Sequence, residues 1–514
     1  MKYRILLFLA VMSQLPLAAQ TPSWVKKASQ AVFTLKTFNA DGTLLASRNG
    51  FFIGSDGVAM SEYTPFKGAA SAIVIDANGK EWPVSELLGA NGIYDVARFR
   101  ISGKVAGVLS HSSANANTDA KVWVLPYGLK KSATAHSAIV SRRELFDKNY
   151  AYYTLSKSMP EQFGGSPVLD DNGSLIAILQ TETSAQQNSF AVSALFVDSL
   201  RLTGLSLNSG ELRQTAMPIA IPEGKDDAIV SLFIAASVMD TLRYADYIGR
   251  FIRQYPKLPD GYISLARLHV SQNNYQQADD DLQQALRVAE RKDDISYQQA
   301  QILFTMQRYD EAAAIFTRLA QKGISAADNY YNAAQCNLQK KDTAAYMALT
   351  DSALATFQKP YPRQAAPYLL ARAQTNHDMR KYRLAVSDYN EYASIQGVRL
   401  TAAFYFQREQ AEMAGRLYQQ ALDDIKQAIS IDSGEYTYRA EKACVELRVG
   451  LLDDAISTAT ECIAMNSEES DGYLFLGLAQ CLKRQTAEGL ENLRKAQQLG
   501  NPQAEPLIAK YGSK

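Results

Sequence analysis

The C-terminal half of the chain repeats itself, and the repeat leaves few folds open to it. Aligned small residues stand at Ala245, Ala278, Ala312, Ala385, Ala421, Ala455 and Gly489, with Tyr346 in the same register after Ala312. The steps are 33, 34, 34, 39, 36, 34 and 34 residues. A period of about 34 residues holds two helices of about three turns each, with their turns, and little more. One such unit cannot bury its apolar face alone, so successive units must stack. The pattern extends inside the units. Tyr262, Leu265, Ala266, His269, Ala278, Leu282 and Ala285 fall on helix-packing positions of one, and Tyr473, Leu476, Gly477, Gly489, Leu493 and Ala496 on those of another. Asn274-Tyr275, Arg308-Tyr309 and Lys381-Tyr382 supply turns between the first helix (A) and the second (B). His269 takes a core aromatic position, where packing is expected rather than a ligand role.

This period and spacing resemble a tetratricopeptide (TPR) array, which implies an all-α superhelix of about eight helix pairs over residues 226–510. Tyr346 and the wide step after it mark a degenerate pair. The resemblance also implies partner binding along a concave face lined by helix A. The Lys, Arg and Asn set with which some such arrays clamp a peptide carboxylate is missing. Instead Gln301, Gln335, Gln374 and Gln410 recur at one helix A position in successive repeats. Tyr297, Tyr331, Leu370 and Phe406 recur a turn earlier, with His377 and Met413 a turn later in the last two. Amide side chains can donate to and accept from an extended backbone without reading its sequence. A second reading of the same row is that Gln is a soluble helix former on an exposed face.

Residues 24–203 carry a different signal. Short β-branched and aromatic runs over 31–37, 44–53, 58–63, 72–75, 94–101, 122–126, 137–141, 150–155, 166–169, 175–180 and 189–193 alternate with Gly, Asn and Asp turns. Asn39-Ala40-Asp41-Gly42, Ser55-Asp56-Gly57, Asn78-Gly79 and Asn172-Gly173 read as hairpin turns. Many short strands without long helices between them predict an all-β barrel or sandwich.

Three segments in this half, in order, are similar to Deg/HtrA-type members of the trypsin-like serine proteases. They are Asn49-Gly50-Phe51-Phe52-Ile53-Gly54-Ser55-Asp56-Gly57-Val58-Ala59-Met60-Ser61, Tyr94-Asp95-Val96-Ala97-Arg98-Phe99, and Ser189-Phe190-Ala191-Val192-Ser193. Phe163-Gly164-Gly165-Ser166-Pro167-Val168 resembles the nucleophile loop of the same family. The resemblance implies a chymotrypsin-like double barrel with a cleft between two six-stranded halves. It also places the triad. Thr64 stands where the histidine base belongs, Asp95 where the orienting aspartate does, and Gly164 where the serine does. Threonine accepts no proton near neutral pH, and glycine has no nucleophile. Gln162 replaces a glycine that shapes the oxyanion turn. Ser166 matches a small-residue position, and neither His111 nor His136 has a spacing that brings it to the cleft.

Residues 204–225 are rich in Ser, Asn, Gly and Pro and read as a linker or a strap on one barrel. The first 19 residues read as a secretory signal: Lys2 and Arg4, the apolar run Ile5 to Met12, and a small-residue cleavage site near Ala19. No later apolar run reaches membrane-spanning length, so an exported protein, periplasmic or secreted, is expected. With 53 basic and 53 acidic residues the balance does not point to nucleic acid or an anionic membrane. Cys336, Cys444, Cys462 and Cys481 match no zinc or disulfide spacing and read as core residues. No metal, nucleotide or other cofactor motif is found. The expected function is an interaction scaffold, not an enzyme: a pseudoprotease barrel and a TPR array binding a protein or peptide partner. The alternative is an active trypsin-like serine endopeptidase whose array recruits substrate.

Overall fold

The computed structural model describes residues 22–129, 132–146, 149–181 and 188–513. The signal peptide expected over residues 1–19 lies outside them. The described residues form two compact units, divided after Glu290.

The first unit begins with two closed antiparallel barrels. One is built from β1 (Val32–Phe38), β2 (Leu44–Phe52), β3 (Val58–Ser61), β4 (Ser71–Ile75), β5 (Glu81–Asn91) and β6 (Val96–Ile101), in the order β1-β2-β3-β6-β5-β4. The other uses β7 (Lys121–Val124), β8 (His136–Phe146), β9 (Tyr150–Leu155), β10 (Pro167–Leu169), β11 (Leu175–Leu179) and β12 (Ser189–Ser193), in the order β10-β11-β12-β9-β8-β7. This is the chymotrypsin-like double barrel. Strand alternation decides what fills each barrel. In β6 the buried Ala97, Phe99 and Ile101 point one way, while the partly exposed Arg98 and Arg100 point the other. Phe33, Phe52, Phe66 and Phe99 meet inside the first barrel at ring separations of 4.6–6.0 Å. Phe51, Met60 and Val96 turn outward and pack with Leu125, Leu169, Ile178 and Val192 of the second barrel in one buried cluster. That shared core fixes the seam where a cleft can lie.

The sequence reading missed β5. Its pairing with β6 slips twice, between Val84 and Glu86 and between Leu87 and Gly89. Each bulge adds a residue and reverses the alternation, so no two-residue period survives for the eye to find. Pro83 hides the strand further, standing near its start, where proline is tolerated.

Residues 204–224 run against the first barrel. Leu87 N donates to Pro218 O and Ala220 N to Leu87 O, a short parallel bridge around Ile219. Met217, Ile219 and Ile221 share one buried core with Leu87 and Phe99 on one side and with Leu232, Tyr247 and Phe251 on the other. The helices Lys225–Val238, Thr241–Gln254, Pro259–Ser271 and Tyr275–Val288 therefore belong to the barrel unit.

The second unit is an all-α solenoid. Six helix pairs follow one another from Asp293–Thr305 with Tyr309–Gln321 to Ser470–Leu482 with Thr486–Gln498, and Ala504–Gly512 closes the series. The small residues that set the period are buried: Ala312, Ala385, Ala421 and Ala455 are fully enclosed, and a Cβ on Gly489 would lie 2.5 Å from Cys481 Sγ. Twelve residues before most of the aligned residues a second small, buried residue recurs, at Ala300, Ala334, Ala373, Ala443 and Gly477 here and at Ala266 in the first unit. In one repeat that place is taken by Glu409, fully buried, with neither carboxyl oxygen hydrogen-bonded. All four cysteines are free thiols.

Candidate functional site

The loop from Pro160 to Ser166 sits at the seam of the barrels. Glu161–Phe163 form one turn of 3-10 helix, Gly164 is extended at φ −47° and ψ 137°, and Gly165 is left-handed at φ +80°. Gly165 is the residue that needs glycine: a Cβ there would stand 2.1 Å from Asn49 O. The loop is tied to the first barrel through Asn49, whose backbone N donates to Gly164 O at 2.9 Å and whose Nδ2 donates to Gln162 O at 2.7 Å. Ser61 Oγ donates to Asn49 O at 2.6 Å and supports it from behind.

Gly164 is buried, and its missing side chain leaves no hole. A Cβ on residue 164 would lie 1.9 Å from Thr181 Oγ1 and 3.1 Å from Glu62 Oε2. Thr181 follows β11, and Glu62 follows the fully buried β3. Thr181 donates both its backbone N–H and its hydroxyl to the two Glu62 oxygens, the hydroxyl at 2.7 Å. Arg48 Nε stands 3.4 Å from Glu62 Oε2 and its guanidinium 3.7 Å from Glu161. Burial pushes the Glu62 carboxyl up to about 7; the Thr181 hydrogen bonds and Arg48 hold it down, while Asp95 adds to the rise. Glu62 is thus a clasp between the barrels, at a position where an ordinary carboxylate would be charged in water.

Thr64 and Asp95, read from the sequence as the other triad positions, take no part in that clasp's hydrogen bonds. Thr64 is exposed and opens the 3-10 turn Thr64–Phe66, and its backbone N donates to Asp95 Oδ1 at 2.6 Å. Asp95 itself is left-handed, φ +50°. It caps a backbone N–H, as an aspartate without an imidazole partner can. The loop's own donors are turned inward. Gly164 N donates to Glu161 O, Gly165 N to Leu179 O and Ser166 N to Phe163 O, at 2.8–3.0 Å. Ser166 Oγ is buried and has no hydrogen-bond partner. His111 is exposed beside Ser112. His136 corrects the reading from spacing: its ring packs on Phe163 at 5.0 Å, next to the loop, because β8 pairs with β7 at Val124. It makes no hydrogen bond to Ser166.

Glu62 and Thr181 were not singled out in the sequence. The one available signal was an acidic residue directly after an entirely apolar strand, where only a partnered carboxylate can be buried.

In the helical unit the predicted row is preserved as a surface. Gln301, Gln374 and Gln410 are exposed and Gln335 half-buried. The amides of Gln301, Gln374 and Gln410 have no hydrogen-bond partner among the described residues. The aromatic row a turn earlier packs between helices: Tyr297 on Phe316 at 5.7 Å, Tyr331 on Tyr346 and Tyr368 at 6.4 and 5.3 Å, and Phe406 on Tyr438 at 5.1 Å. Within two of the helix pairs a polar rung joins helix A to helix B. Arg408 Nε and Nη2 hold Asp424 at 2.6 and 2.7 Å, and Arg372 holds Asp388 at 3.1 and 2.6 Å. His269, in the first unit, was expected as a packing residue; its Nδ1 lies 2.7 Å from Asp281, so it is a rung of the same kind.

No protein-family model and no curated protein matches the chain. Solved structures similar to it include the active form of the Rv3671c protease from M. tuberculosis, 18% identical, covering 40% of this chain and 87% of that one, with a TM-score of 0.31. An inactive serine-to-alanine form of the same protein matches at 19% identity over 36% of this chain and 91% of that one, TM-score 0.30. The HtrA-type protease AlgW, a serine variant with a tripeptide, matches at 17% identity over 34% of this chain and 60% of that one, TM-score 0.30.

Proposed function

We propose that this chain is an exported interaction scaffold: a protease-fold double barrel without a working nucleophile, joined to a tetratricopeptide array that holds a polypeptide partner. The observation that carries the first part is the Glu62–Thr181 clasp, whose threonine hydroxyl lies where a side chain on residue 164 would begin. A serine placed there would collide with it. The inward bonding of Gly164 N supports the same reading, since that N–H is one of the donors an acyl-transfer site needs free. The exposed glutamines of the helical unit support the second part, as groups able to pair with an extended backbone.

One observation favours a second reading. The Thr181 hydroxyl donates to a carboxylate titrating near neutral pH, which is how a nucleophile and its base are arranged. The deciding experiment treats the mature protein with a serine-directed fluorophosphonate and an unfolded protein substrate. The scaffold reading expects neither labelling nor cleavage. Labelling that disappears in Thr181→Ala would replace it with a rewired hydrolase, and labelling that disappears in Ser166→Ala would revive a serine enzyme. For the array, changing Gln301, Gln335, Gln374 and Gln410 together to alanine should weaken capture of an extended peptide and leave helicity intact. Unchanged capture would remove the glutamine row from the binding surface.

A further inference from the structure

Away from the barrel seam, the first unit holds a concavity of about 600 Å³ between β5, β6, the strap and the helices Lys225–Val238 and Thr241–Gln254. Three guanidiniums converge on it. Arg98 and Arg100 are two apart on β6, so strand alternation turns both out of the barrel and into this space, and Arg201 enters from the segment after β12. Leu88 and Ile221 give it an apolar wall.

Three carboxylates, Glu86, Glu223 and Asp227, line the same space, but they leave part of the guanidinium surface without a partner. Arg100 lies 3.4 Å from Asp56 and 3.6 Å from Glu86, but Glu86 also serves Arg250 at 3.7 Å. Arg98 and Arg201 make no ion pair among the described residues. The Nε groups of Arg98 and Arg100 are buried and have no hydrogen-bond partner. Burial holds Arg98 below the usual arginine range; Arg201 and Arg100 push the same way, against Glu223. Asp227 is already engaged, its Oδ1 accepting from Gly204 N at 2.7 Å. The helix Lys225–Val238 starts at the rim from Gly224, which offers no side-chain cap, and Asp226 and Asp227 in its first turn offset the positive end of its dipole.

We propose that this concavity is a binding site for a small organic phosphate monoester, its dianionic head held by Arg98, Arg100 and Arg201 and its apolar body laid on Leu88 and Ile221. Two unpaired guanidiniums match the two charges of a phosphate monoester better than the single charge of a carboxylate. The site owes nothing to the barrel seam or to the helical array, so it stands whichever reading of those is right.

Calorimetric titration of the full mature chain tests it, with phenyl phosphate, benzoate and benzyl alcohol as probes. Phenyl phosphate is expected to bind, benzoate more weakly, and the alcohol not at all. Arg201→Gln and Arg98→Gln should each weaken phenyl phosphate binding at least about tenfold. Arg201 is exposed, so its variant keeps the fold even if the half-buried Arg98 proves necessary for folding. No binding of phenyl phosphate, equal binding by Arg201→Gln, or benzoate binding more tightly than phenyl phosphate would each overturn the proposal.

Discussion

Replacing Glu409 with alanine is expected to destabilise the helical unit in mild acid and to stabilise it in mild base. Burial pushes this carboxyl from 4.5 up to about 9, with Glu441, Glu412 and Asp424 adding their repulsion. Its folded pKa lies above its unfolded one, so folding takes up a proton between those values. Stability is then fully present below about pH 4.5 and lost with rising pH at about 1.4 kcal/mol per unit, up to about pH 9. By about pH 8 the loss attributable to this one side chain reaches ~5 kcal/mol. Alanine removes that term and restores the residue found at the same place in neighbouring repeats. It also removes one methylene and the carboxyl, ~0.8 kcal/mol of apolar burial plus a cavity term of about the same size. The balance is a gain of ~3 kcal/mol at about pH 8 and a loss of ~1 kcal/mol at about pH 5. Urea unfolding of the full chain, followed by far-ultraviolet circular dichroism, reads it. Trp24, Trp82 and Trp123 all lie in the first unit, so their fluorescence monitors that unit separately. A variant destabilised equally at both pH values, with no crossing, would refute the reasoning, because it would mean that the buried carboxyl is not proton-linked to folding.

The clasp at the barrel seam gives a second titration. Glu62 is also raised, to about 7, so the first unit should lose ~3 kcal/mol between about pH 4.5 and 7, and Glu62→Gln should flatten that slope in tryptophan-monitored unfolding. Parallel profiles for the two proteins across that window would sink the assignment. Gly165→Ala places a Cβ 2.1 Å from a backbone oxygen in a left-handed conformation and should cost about 3 kcal/mol in the same assay; a loss below about 1 kcal/mol would show that the loop can move aside. Arg408→Leu leaves Asp424 enclosed without its bidentate partner and should destabilise the helical unit by about 3 kcal/mol, measured by circular dichroism. A neutral outcome there would mean that Asp424 finds another donor.

Much of the architecture was legible from residue order. The helical period could be read because each repeat needs a small side chain where two helices cross, and a fixed spacing follows from helix geometry. All eleven strand runs read from the sequence overlap an observed strand, in order, because turn residues mark their ends; the run over 94–101 overlaps β6 only from Val96. β5 was hidden by its two bulges, which cancel the alternation that identifies a strand. His136 was misplaced for a related reason: spacing along the chain says nothing about which strand will be its neighbour, and pairing with β7 carries it to Phe163.

Gly164 shows where the two levels part. The sequence by itself determined that no nucleophile stands at that position and that the C-terminal half must stack in helix pairs, since both depend only on residue identity and local period. Tertiary structure alone decided what fills the vacancy. Glu62 and Thr181 are 119 residues apart, and only closure of two barrels against a shared core brings their oxygens within hydrogen-bonding distance. The same holds for Arg98 and Arg201 around their concavity and for Glu409 among its acidic neighbours. Burial and charge proximity are properties of space, and these set both the pKa of a carboxylate and the partners an arginine lacks.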